Sequence, residues 1–200
     1  MELMVASVIF VFVVFAIGAL YLSAKRSLDF GSAEVYVQRQ GTLIQEELAR
    51  HILRAASAQV AQCGPSGVTV PAGQSLLYQR LVASAATGAL ESDFWCIYQP
   101  PPGGSPLSLW RCRVSGLAPP QTCSGTPENL VANLIQPLPG QSVQVSDTSF
   151  AVAPVTCGGS PCATAASVDI RFELDLLQGS TGASLLWTPR RFGFNTTIRN

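Results

Sequence analysis

The chain predicts an α+β protein: one long N-terminal helix, then a β-rich domain held by disulfides. Three observations carry that prediction. Twenty consecutive uncharged residues, Leu3 to Leu22, follow a single acid at Glu2. An apolar stripe then continues through Val37, Gly41, Ile44, Leu48, Ile52 and Ala56 at steps of three or four, which is one face of a helix. Far downstream the period becomes two. Val168, Ile170, Phe172, Leu174 and Leu176 alternate with Asp169, Arg171, Glu173 and Asp175, the pattern of a half-buried strand.

At about 1.5 Å of rise per residue, the uncharged run spans roughly 30 Å, the hydrocarbon thickness of a bilayer. A cleaved secretory signal opens with positive charge and has an apolar core of roughly 7–15 residues. Here Met1 and Glu2 precede a longer run, and Leu22 stands where a cut after Ala24 would need a small residue. No proline falls between Met1 and Ala61, so no hard breaker interrupts the helix. Gly18, Gly31 and Gly41 are its soft points, each costing about 1 kcal/mol relative to Ala. Arg39, Glu46, Glu47, Arg50 and Arg54 lie largely off the apolar stripe. Cys63-Gly64-Pro65 combines a helix stop with a turn signal. The predicted organisation is a helix over 1–62, transmembrane over 3–22 and amphipathic over 23–62, with a globular domain over 63–200.

Charged residues make up 12% of the chain, 12 basic and 12 acidic, with no basic stripe, so nucleic acid is not expected as a partner. The six cysteines, Cys63, Cys96, Cys112, Cys123, Cys157 and Cys162, all follow the helix. An even number on one side of a membrane segment reads as disulfides in an oxidising compartment. Zinc is the weaker reading, since no CxxC pair occurs and His51 is the only histidine. By the positive-inside rule Lys25 and Arg26 place the C-terminal side in the cytoplasm. The cysteines place it outside, and they take precedence because charges ahead of Met1 also count.

Asp93 to Gln99 and Leu107 to Val114 read as a hairpin around the Pro- and Gly-rich loop 100–106. Antiparallel partners keep a constant index sum, so one register sets Cys96 opposite Cys112 and Tyr98 opposite Trp110. A Cys96–Cys112 cross-strand disulfide is predicted. Cys157 and Cys162 would close a small loop, and Cys63 with Cys123 would tie the helix end to the sheet. A short helix is expected within 74–91, and another turn or two from Glu128 to Ile135. Gln178 to Gly182 supplies a loop, Ser184 to Trp187 a returning strand, and Phe192 to Ile198 the continuation or a further strand.

Candidate chemistry is sparse. Asp169, Glu173 and Asp175 are three acids on one strand, but alternation alone makes them a solvated face. His51 reads as a solvated residue on the polar side of the helix. No phosphate loop, HExxH motif or nucleophile elbow is present. No enzyme activity, metal or cofactor is predicted.

The string Glu2-Leu3-Met4-Val5-Ala6-Ser7, ahead of a long apolar helix, resembles the N-terminus of type IV pilins and pseudopilins. The stretch Pro189-Arg190-Arg191-Phe192-Gly193-Phe194-Asn195-Thr196-Thr197-Ile198-Arg199-Asn200 resembles the final strand of PilW-type minor pilins, a trend shared by GspJ-type pseudopilins. The resemblance does not extend over residues of about 64–185, where no family motif is identified. The resemblance implies a type IV pilin-like fold, the C-terminal part of the helix packing on an antiparallel sheet. It implies that Glu2 is the carboxylate that pairs with the N-terminal amine of a neighbouring subunit. It also implies that residues 3–22 pass from the inner membrane into a filament core. A cleaved leader and a methylated N-terminus would lie ahead of Met1. The expected location is the inner membrane with the globular domain in the periplasm, then the pilus. The expected partners are pilin or minor pilin subunits, the inner-membrane assembly machinery and, before assembly, lipid. The implied function is that of a minor pilin helping to initiate or cap a type IV pilus. The alternatives are a minor pseudopilin of a type II secretion system and a single-pass envelope protein with an extracytoplasmic binding domain.

Overall fold

A computed structural model of the chain describes residues 2–68, 70–71, 73–100, 108–116, 121–131, 140–157, 160–178, 183–184, 186 and 189–199. It contains one helix and ten strands among those residues: α1 Glu2–Ile52, β1 Ala55–Val60, β2 Cys63–Gly64, β3 Ser75–Ala83, β4 Leu90–Tyr98, β5 Trp110–Val114, β6 Gln121–Asn129, β7 Gln141–Cys157, β8 Ser160–Gln178, β9 Ala183–Ser184 and β10 Arg190–Arg199. This is the α+β architecture, with a mostly antiparallel β region after the helix. The chain forms two compact units, Met1–Tyr36 and Val37–Asn200. The first is helix alone. The second holds the last turns of α1 and both sheets.

The helix stops earlier than its apolar stripe predicts. Ala55 to Val60 are strand β1, not helical turns, and they pair antiparallel with β3, Val60 opposite Leu76 and Gln59 opposite Leu77. Tertiary pairing overrides the helix propensity of an Ala-rich stretch. The same pairing overturns the short helix expected within 74–91. That stretch is the β3–β4 hairpin, closed through the turn at Ser84 to Ala89, where Gly88 takes a positive φ of 68°. β3 lies between β1 and β4, and Ser75 to Tyr78 are buried on both faces of the sheet, so they show no alternation. A continuous short apolar run of this kind reads equally as helix or strand.

The first sheet has the order β1-β3-β4-β5-β6-β2, in which only the short β2–β6 pair is parallel. The predicted β4–β5 register is correct: Cys96 faces Cys112 and Tyr98 faces Trp110. Its loop at 101–106 lies outside the described residues. β6 runs through Glu128 to Asn129, and a turn follows at Leu130 and Val131, where a helical turn was expected; residues 132–135 lie outside the description.

The second sheet has the order β10-β8-β7, with β9 pairing on β8. β8 is the predicted alternating strand. Val168, Ile170, Phe172, Leu174 and Leu176 are all buried. β10 covers the predicted strand from Phe192 to Ile198 and pairs with β8, Phe192 opposite Phe172. The returning strand is only Ala183–Ser184; Trp187 and the loop 179–182 lie outside the described residues.

Within the second unit the apolar stripe of α1 packs on this framework. Val37, Ile44, Leu48 and Ile52 are at most 1% exposed. Gln40 is also buried, and its Nε2 donates to the Val131 carbonyl at 3.1 Å. The Phe172 and Phe192 rings stack with centroids 5.4 Å apart. Burying each such aromatic or aliphatic side chain contributes about 1.5–3 kcal/mol.

Candidate membrane and assembly segment

Within the first unit, Glu2 is the first described residue of α1, and its side chain lies outside the described ones. From Val5 to Leu22 the apolar side chains are uncovered. Phe10, Phe12, Phe15 and Leu20 are 68–74% exposed. A soluble monomer rarely leaves so continuous an apolar surface in water. The helix is long and apolar enough to be a single membrane span or a signal anchor. Gly18 and Gly31 meet nothing within 4 Å of an added Cβ, so neither serves a close approach within the chain.

A second constellation, inside the other unit, was not legible in the sequence. His51, expected in solvent, is buried at 9% exposure in the last turn of α1. Its Nε2 lies 2.9 Å from Glu47 Oε1, one helical turn back, and its Nδ1 lies 2.9 Å from Arg111 Nη1 on β5. A neutral imidazole with its proton on Nε2 donates to Glu47 and leaves Nδ1 to accept from Arg111. Arg111 also contacts Nε2, pairs with Glu128 at 2.5 Å, and stands over the Trp95 ring at 4.8 Å. Desolvation, and then the Arg111 guanidinium, hold the His51 pKa below its ordinary value. Tyr78, buried under the same cluster, is pushed up to about 12 by desolvation. The arrangement joins the end of α1 to the first sheet through the His51–Arg111 contact. Lone His and Arg residues 60 positions apart carry no spacing signal from which to foresee this.

Successive residues of a strand face opposite ways. Trp95, Ile97 and Arg111 therefore share the helix side of the first sheet, while Cys96 and Cys112 share the other. There the predicted bonding is corrected. Cys96 is bonded to Cys63, with Cα atoms 6.0 Å apart, and Cys112 to Cys123, with Cα atoms 5.5 Å apart. The register was right and the partners wrong, because β2 and β6 bring Cys63 and Cys123 to the same buried patch. The side chains of Cys157 and Cys162 lie outside the described ones, so their predicted pairing does too.

The acidic triplet of β8 divides. Asp169 pairs with Arg171 at 2.8 Å and Glu173 with Arg191 at 2.5 Å, on the outer face of the second sheet. They line an open groove of about 580 Å³ together with Asp147, Ser149 and Asn195. Asp175, expected on that solvated face, is buried at 9% exposure. Its Oδ1 accepts from the Leu176 N–H and from Ser184 Oγ, anchoring β9. Among the described residues no three His, Cys, Asp or Glu side chains come together as metal ligands. No family model matches the chain, and neither a curated protein nor a solved structure shows significant similarity to it.

Proposed function

We propose that this chain is a structural, PilW-type minor pilin that helps to initiate or cap a type IV pilus. The observation that carries the reading is the first turns of α1: an uncharged, uncovered apolar surface directly behind Glu2. In the membrane, lipid covers that surface. In a filament, neighbouring apolar helices replace the lipid tails, an exchange between similar apolar surroundings. Glu2 is the selective element. A carboxylate near hydrocarbon is costly unless paired, and the N-terminal amine of an adjacent subunit is the counter-charge. The antiparallel β region after the helix fits the same build, with its disulfides in the periplasm.

The test is the N-terminal sequence and mass of the native protein from cells. A short leader removed a few residues upstream of Met1, with a methylated new N-terminus, is the expected result. An unprocessed N-terminus, or cleavage near Ala24, overturns the reading in favour of a single-pass envelope protein. Glu2→Ala tests the pairing role separately: membrane insertion is retained and incorporation into the filament is impaired. Normal incorporation of that variant removes the role assigned to Glu2.

A further inference from the structure

The two disulfides are not independent. Cys96 and Cys112 belong to different bonds, yet they are directly opposed partners on neighbouring strands. Directly opposed residues of antiparallel strands have Cα atoms about 4.5–5.5 Å apart. A disulfide needs about 4.4–6.8 Å. Both side chains point to the same side of the sheet, into one core cluster with Cys63, Val70, Leu77, Tyr98 and Val114. Cys63, Cys96 and Cys112 are each at most 3% exposed, whereas Cys123 is only half-buried. Reagents therefore reach the cluster first at Cys123.

We propose that these four cysteines form an exchange relay in which Cys96–Cys112 is a latent third disulfide, entered through Cys123 by a dithiol reductant. One thiolate of the dithiol attacks Cys123 Sγ, and Cys112 leaves as a thiolate. Cys112 then attacks Cys96 Sγ, forming the Cys96–Cys112 bond and expelling Cys63 as a thiolate. The second thiol of the dithiol displaces Cys123 from the mixed disulfide. The dithiol ends oxidised, and its two protons end on Cys63 and Cys123. Two protein disulfides become one disulfide and two thiols, so atoms and electrons balance. Attack follows the geometry of exchange, in which the incoming thiolate must reach the sulfur it displaces.

The structural consequence falls on β2. Cys63 is the covalent tether of that two-residue strand, whose hydrogen-bonded pairing with the sheet is a short parallel ladder on β6. Moving the bond to Cys96–Cys112 unties the segment between β1 and β3 and leaves the β4–β5 ladder cross-linked at its centre.

The test is limited reduction of the full chain in detergent micelles with dithiothreitol, followed by acid quenching, maleimide labelling and tryptic mapping. Arg80, Arg111 and Arg113 separate the four cysteines onto different peptides, and fragmentation of peptide 114–171 distinguishes label on Cys123 from label on Cys157 or Cys162. The expected one-bond species is labelled at Cys63 and Cys123, with the peptides of Cys96 and Cys112 joined. A one-bond species that keeps Cys63–Cys96 and is labelled at Cys112 and Cys123 overturns the proposal. So does loss of both bonds together with no one-bond species. A second measurement uses the Cys63→Ser, Cys123→Ser double variant oxidised in air. Formation of Cys96–Cys112 in the majority of folded molecules is expected, and labelling of both thiols overturns the proposal. Should that variant not fold, the wild-type map decides alone.

Discussion

Gly41 of the helix lies against the ring of Phe192 on β10, so close that a Cβ at residue 41 would overlap three ring carbons. The glycine that reads as a weak point of the helix is the seat of an aromatic ring. Phe192 in turn stacks on Phe172, and Gln45 Nε2 donates to the Gly193 carbonyl at 2.9 Å beside it. A local cost of about 1 kcal/mol in helix propensity is offset by a close helix-to-strand contact.

Gly41→Ala is therefore expected to destabilise, against the usual direction for Gly→Ala in a helix. Overpacking of this kind costs about 1–3 kcal/mol. Gly18→Ala, with open space around it, is the control and should leave thermal unfolding of the Val37–Asn200 unit unchanged. Equal melting of Gly41→Ala and wild type would refute the contact's role.

Stability should fall on mild acidification. Desolvation and Arg111 lower the His51 pKa, Glu47 opposes them, and Arg80 adds a smaller lowering effect. The unfolded chain thus takes up the proton first. The contribution is fully present above about pH 6.5, the unfolded value, and is lost as pH falls through the lowered folded value. Chemical denaturation between pH 7.5 and 5 should show this slope, and His51→Gln should flatten it.

At the alkaline end the sign reverses. Tyr78 is raised from 10.0 to about 12, so its contribution is present below pH 10 and is lost as pH climbs toward 12. Tyr78→Phe should remove that part of the alkaline limb. An unchanged limb would place the titration elsewhere.

Loss of each disulfide should differ in cost. Cys63–Cys96 spans 33 residues and Cys112–Cys123 spans 11. Loop-closure entropy gives about 4 kcal/mol for the first and about 3 kcal/mol for the second. Paired Cys→Ser variants, compared by denaturant midpoint at constant slope, measure the order.

Asp175→Ala should cost about 1–3 kcal/mol, because it removes the buried acceptor of the Leu176 N–H and the link from β8 to the Ser184 hydroxyl. Asp169→Ala, on the same strand but on the outer face, should stay within about 0.5 kcal/mol. Similar losses for the two would mean that Asp175 does not hold β9.

Three features were written in the chain itself: the uncharged run, the buried stripe from Val37 to Ile52 and the alternation of β8. Each is a local periodicity, and the solvent on either side of an element selects it without reference to distant residues. The facing of Cys96 and Cys112 was legible too, because an antiparallel hairpin obeys index arithmetic. Tertiary structure alone decided the rest. Ala55 to Val60 are strand because β3 offers them an edge. His51 and Asp175 are buried because Arg111 and Ser184 supply partners from other strands. Cys96 bonds Cys63, not its facing partner, because a two-residue strand brings that sulfur to the same patch. Each of these outcomes depends on a residue 9 to 60 positions away, and no local pattern encodes which distant group will arrive.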